Sequence, residues 1–129
     1  MTHILDTHAL VWFLEASPRL SARACTAISN TTSQLVIPSI VLVEITFLYA
    51  RERIATDIGE IRGRLLAASN CVAYPLDEQV VSLVFTALEI HDAIIVATAL
   101  VYRDVLRQEV TVITKDEAIR RSGLVEVLW

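Results

Sequence analysis

The sequence predicts an α/β fold: a mainly parallel sheet with helices on both faces. Two observations carry that reading. Short apolar runs with strand character alternate with helical runs along the whole chain, as in repeated strand–helix units. The first apolar strand also stops on a carboxylate, Asp6, and a helical run, Ala9-Leu10-Val11-Trp12-Phe13-Leu14, follows at once. The carboxyl end of a strand is where open α/β sheets bind ligands. That turn holds no glycine, so it offers an acid and the Thr7 hydroxyl rather than a phosphate cradle.

Each element has its own signal. Met1 to Asp6 reads as a short buried strand. Ala9 to Glu15 reads as a helix stopped near Ser17-Pro18, because a residue before proline avoids helical geometry. Leu20 to Ser29 is a second helical run with Ser21 as N-cap, and the polar stretch Asn30 to Ser33 is loop. Gln34 to Ile37 is the second strand, which Pro38-Ser39 turns into a helix from Ile40 to about Arg53. Thr56-Asp57 opens a helix to about Ser69, whose Gly59 and Gly63, four apart, suggest close helix packing. Cys71 to Tyr74 is the third strand, and Asp77 caps a helix from Glu78 to about Leu88. Asp92 opens an apolar helix, Ala93 to Tyr102. Glu109 to Thr114 is the fourth strand, and Asp116 opens a short helix that Gly123 ends as C′. Val125 to Leu128 is the fifth strand. No repeat or linker interrupts the 129 residues, so one domain, 1–129, is expected.

Composition narrows the function. Apolar residues are 54% of the chain and charged residues 20%, which suggests apolar patches covered by a partner. The net charge of −4 gives no global basic field. If four of the 15 acids sit on a metal, 11 remain against 11 basic groups. Cys25 and Cys71 lack metal-type spacing and read as two buried, reduced thiols, with a cytoplasmic location expected. The start lacks a basic leader, and the most apolar stretch, Leu35 to Ala50, is broken by Pro38 and Glu44 and too short to span a membrane.

Several acids are drawn to one sheet edge. Glu44 shares a helical face with Ile40, Val43, Phe47 and Leu48, an apolar setting costly for an unpaired carboxylate. One turn into its helix, it leans back toward the ends of strands one and two. The alternative is an exposed side chain or a pair with Arg51 or Arg53. Asp92 and Asp116, at helix starts, reach the same edge or serve as ordinary N-caps. Asp77, after strand three, competes for inclusion. Carboxylates about 4 Å apart repel by about 4 kcal/mol at an effective ε near 20, so protons or a cation must offset them. An oxygen-only site selects Mg²⁺ or Mn²⁺. His3, His8 and His91 read as structural or surface residues, the last two near the site mouth.

The residues Ile4-Leu5-Asp6-Thr7-His8-Ala9-Leu10-Val11-Trp12, Ser39 through Glu44-Ile45, His91-Asp92-Ala93-Ile94-Ile95-Val96-Ala97-Thr98-Ala99, Val112-Ile113-Thr114-Lys115-Asp116 and Val127-Leu128-Trp129 occur in the order and at the spacing of four motifs and an ending. In these the chain resembles the PIN-domain family of metal-dependent ribonucleases, and most of all the toxins of VapBC-type toxin–antitoxin pairs. The resemblance implies a three-layer α/β/α fold with a five-stranded sheet ordered 3-2-1-4-5. That order sets Asp77 aside and carries over Asp6, Glu44, Asp92 and Asp116 as catalytic and metal-ligating, with Thr7 and Thr114 as supporting hydroxyls. It further implies an endoribonuclease using Mg²⁺ or Mn²⁺, in-line attack leaving a 5′-phosphate, homodimers, and a cognate antitoxin whose peptide packs beside the acids. Rivals fit less well. A dehalogenase-like phosphatase wants a second Asp where His8 stands. A phospho-acceptor receiver domain wants an acidic pair after strand one. An inactive PIN-like scaffold has no need of the intact acid set.

Overall fold

The computed structural model describes residues 1–129, the side chain of Leu66 excepted. Strands β1 (Thr2–Leu5), β2 (Gln34–Pro38), β3 (Cys71–Tyr74), β4 (Val110–Ile113) and β5 (Glu126–Leu128) form one parallel sheet in the order β3-β2-β1-β4-β5. The sequence order 3-2-1-4-5 is thus met. All four residues of β1 and of β4 are buried. Strands that are apolar on both faces need cover on both faces, which the helices supply.

Seven α-helices connect the strands: α1 (Thr7–Leu14), α2 (Ala22–Ser29), α3 (Ser39–Ala50), α4 (Ile58–Ala67), α5 (Glu78–Ser82), α6 (Ile90–Leu100) and α7 (Glu117–Ser122). The most buried is α6, with every residue from Ala93 to Leu100 inside; it packs against β1, β2 and β4. A π-helical turn, Val101–Val105, prolongs it. The core joins Ile4, Val36 and Val112 of the central strands to Ile45, Ile61 and Ile95 of the helices. None of the described helices is long and apolar enough to cross a membrane.

Several expectations need correction. The first helix starts at Thr7 rather than Ala9, because Asp6 caps it. Helix α5 ends at Ser82, not near Leu88. The Ser82 hydroxyl donates to the Gln79 carbonyl at 2.7 Å, the acceptor that Leu83 would need to continue the helix, and Leu83 N–H turns to Val80 instead. Helix α3 stops at Ala50, and Glu52 takes a left-handed φ of 58° beyond it. The last apolar helix starts at Ile90, with Glu89 and not Asp92 as its cap. Gly59 and Gly63 make no close helix packing: a Cβ at Gly63 would meet nothing within 4 Å. Cys25 is exposed and Cys71 half-buried, so the thiols are not a buried pair. Gly123 does take the left-handed C′ position expected of it, at φ 66°.

The apolar excess is visible on the surface. In α3 Val41 and Ile45 are buried, Ile40, Glu44 and Leu48 are half-buried, and Val43 and Phe47 are exposed. Val43 is 49% exposed and Phe47 55%, with Ile90 and Val81 also exposed.

Candidate active site

Register fixes the centre of the site. Leu5 pairs with Ile113 across β1 and β4, so the next residues out, Asp6 and Thr114, leave the sheet side by side. The Thr114 hydroxyl donates to Asp6 Oδ2 and accepts the Asp116 backbone N–H at 3.0 Å. One hydroxyl therefore ties the two strand-end acids together. Each acid also caps its own helix: Ala9 N–H donates to Asp6 Oδ1 at 2.7 Å, and Ile119 N–H donates to Asp116 Oδ1 at 3.0 Å. Capping occupies a single oxygen. The cap and the site are not alternatives for these residues; both hold at once.

Asp6, Glu44, Asp92 and Asp116 all line one cavity of about 330 Å³ at the carboxyl edge of the sheet. Thr7 lines it too, and its buried hydroxyl has no hydrogen-bond partner among the described residues. Thr114 stands behind Asp6 and is fully buried. Asp77 does not line the cavity. It caps α5 through Val80 N–H at 3.0 Å and accepts the Tyr74 hydroxyl at 3.1 Å. Glu44 forms no ion pair among the described residues, so its pairing with Arg51 or Arg53 is not seen.

Sequence reasoning missed a fifth acid, Glu89, which also lines the cavity. Its carboxylate accepts the His91 N–H at 3.0 Å and the Asp92 N–H at 3.3 Å, and meets His91 Nδ1 at 2.7 Å. The signal was present: an acid three residues before Asp92 is at N-cap spacing. Trp12, Ile95 and Lys115 complete the wall together with His8 and His91. His3 is elsewhere, buried and bonded to the Thr111 hydroxyl at 2.7 Å.

Crowding of acids appears in their proton affinities. Burial raises the Asp6 carboxyl above its ordinary range; the Thr114 hydroxyl, Ala9 N–H and His8 oppose the rise, and Asp116 adds to it. Asp92 is pushed up to about 6, first by burial and then by Asp116, Glu89, Glu44 and Asp6. For Glu89, slight desolvation is outweighed by the N–H groups and ring of His91 and by Asp92 N–H, which hold it low. As the side chains stand, no three His, Cys, Asp or Glu among the described residues close tightly enough to hold an ion. The donor chemistry nonetheless fits a hard divalent cation: carboxylate and hydroxyl oxygens, an unpartnered Thr7 hydroxyl, and no cysteine.

A protein-family model described as PIN domain matches residues 3–123. Comparison with curated proteins finds no match. Among solved structures, the chain is similar to one in VapBC2 from Rickettsia felis bound to a DNA fragment from their promoter, at 13% identity over 99% of this chain and 98% of that one, TM-score 0.68. It is similar to a chain of a toxin–antitoxin complex from Klebsiella pneumoniae at 22% identity, covering 98% and 96%, TM-score 0.65. A third likeness is to VapBC-1 from nontypeable Haemophilus influenzae, at 17% identity, covering 99% and 97%, TM-score 0.64. At such identities the likeness shows a shared fold.

Proposed function

The chain belongs to the PIN domain family, and from that premise we propose that it is a metal-dependent endoribonuclease, the toxin of a type II toxin–antitoxin pair. One observation carries the nuclease reading. Four acids far apart in sequence, Asp6, Glu44, Asp92 and Asp116, line a single cavity at the ligand-binding edge of the sheet. The toxin reading is supported by the fold shared with chains of three toxin–antitoxin complexes.

Asp6, Asp116, Asp92 and Glu44 would hold one or two Mg²⁺ or Mn²⁺ ions. A bound divalent ion supplies Lewis-acid neutralisation of the phosphate and makes water a stronger nucleophile at neutral pH. The chain supplies the rest. Asp6 is fixed from two sides by Ala9 N–H and the Thr114 hydroxyl, so its carboxylate needs little reorganisation when a ligand arrives. Asp116 keeps Oδ2 free while Oδ1 caps its helix. Asp92 or Glu44 accepts the proton from the attacking water at a carboxylate oxygen. The Thr7 hydroxyl, with no partner of its own, donates to a site water or phosphate oxygen.

One PIN domain over residues 1–129, a cytoplasmic location, a homodimer and a cognate antitoxin belong to the same reading. The exposed apolar face of α3 supports a covering partner. Incubating the protein with structured RNA tests the proposal. Cleavage with Mn²⁺ that stops with EDTA and with Asp6→Asn is expected; RNA left intact by the wild type in both metals overturns it.

A further inference from the structure

The acid-lined cavity shares a wall with a second cavity of about 340 Å³, lined by Glu15, Arg19 and Arg53 with His8 and Trp12. His8 and Trp12 belong to both. Trp12 gathers cations. The Arg19 guanidinium lies over its ring, 6.0 Å from the centroid, and Lys115 Nζ lies over the same ring at 6.0 Å. His8 leans against the ring at 5.3 Å, and Trp129 meets it edge-on at 5.8 Å. The indole is thereby held from several directions.

None of Arg19, Arg53 and Lys115 forms an ion pair among the described residues, although Lys115 is the immediate neighbour of Asp116. Stability does not account for this arrangement. An exposed cation–π contact contributes only about 0.5–1 kcal/mol, and two like charges above one ring repel. The chain as a whole is acidic, at −4. Arg19 and Lys115, unpaired over one ring beside a cavity lined by five acids, are suited to a polyanion that must approach carboxylates that repel it.

We propose that this wall is a phosphate subsite for the RNA nucleotide flanking the scissile bond. Arg19 and Lys115 are its ligands, and Trp12 is the positioning residue that holds both at the lip; the proposal rests on the ribonuclease reading above. Lys115 offers a point charge and Arg19 a planar fork, so the two together hold one backbone at the ring. The acids then act on the neighbouring phosphate, and the wall fixes which side of the cut the strand extends toward.

The test is the salt dependence of binding to a fluorescein-labelled single-stranded RNA, read by anisotropy in Ca²⁺. Lys115→Gln and Arg19→Gln should each weaken binding roughly tenfold at low salt, and each should flatten the slope of log affinity against log salt by about 0.7. Trp12→Leu should flatten it as much as Lys115→Gln and Arg19→Gln combined in one chain, and Lys115→Arg should keep the wild-type slope. In Mn²⁺ turnover, KM should rise more than kcat falls. Wild-type slopes in both Gln variants overturn the subsite, as does a wild type that binds no RNA at any salt. If the wild type binds with the expected slopes yet cleaves nothing, the nuclease reading fails and with it the placing beside a scissile bond, while Arg19 and Lys115 remain ligands of an RNA phosphate.

Discussion

Replacing Asp92 with Asn should stabilise the metal-free protein. The rise of this carboxyl from 3.8 to about 6 corresponds to about 3 kcal/mol of unfavourable ionisation at neutral pH. Asp92 is only half-buried, so solvent screening reduces that to about 1.5 kcal/mol. Removing a negative charge from the first turn of α6 also loses a favourable dipole contact of about 0.5 kcal/mol. The net gain is about 1 kcal/mol, or about 4 °C in Tm for a chain of this length. Its pH window follows from the direction of the shift. An acid whose folded pKa lies above its unfolded value binds the extra proton when folded, so stability falls as pH rises between about 4 and 6. Asp92→Asn removes that fall. Thermal melts in EDTA should therefore show the gain at about pH 7 and none at about pH 4. In saturating Mn²⁺ the order should invert, because the wild type gains more from the ion. A variant that melts lower than wild type in EDTA at neutral pH, or gains equally at both pH values, would refute the picture of an acid repelled by its neighbours.

Three further outcomes are expected. Glu44→Gln should keep or raise the metal-free Tm while RNA cleavage falls at least roughly tenfold, about 1.4 kcal/mol in barrier; a variant that melts several degrees lower and cleaves normally would make Glu44 structural. Mn²⁺ titration followed by calorimetry should show binding to wild type and much weaker binding to Asp6→Asn, and equal affinities would exclude Asp6 as a ligand. Sedimentation at micromolar concentration should show self-association through exposed apolar surface such as Val43 and Phe47, against which a clean, soluble monomer would count.

The sequence was most legible where local chemistry and tertiary position demand the same residue. Asp6 and Asp116 end strands and cap helices, and both roles leave a mark at one position. The sheet order and the four cavity acids followed from the motifs around them. Glu44 was placed by a stripe argument that holds in part: Ile40, Glu44 and Leu48 are half-buried, while Val43 and Phe47 are exposed. Helix α3 is apolar nearly all round, so periodicity cannot say which side is buried, and packing chose Val41 and Ile45. Glu89 was hidden because Asp92 looked like the cap; two acids at cap-compatible positions cannot be ranked without the backbone. The end of α5 turned on a single hydroxyl, Ser82, taking a carbonyl from the helix. The cations over Trp12 come from separate loops, and no spacing rule joins Arg19 to Lys115.

The parallel order of the sheet has a consequence for timing during synthesis. The central pair joins β1 to β4, and Thr114 must reach Asp6 across a loop of more than a hundred residues. Contacts of such long range close late, after the loop between them has been made. At about 5–20 residues per second, several seconds separate the first acid from the last. Throughout that interval a ribosome carries a chain with Asp6 in place and no partner for it. The cavity comes into being only when nearly all of the chain has been translated.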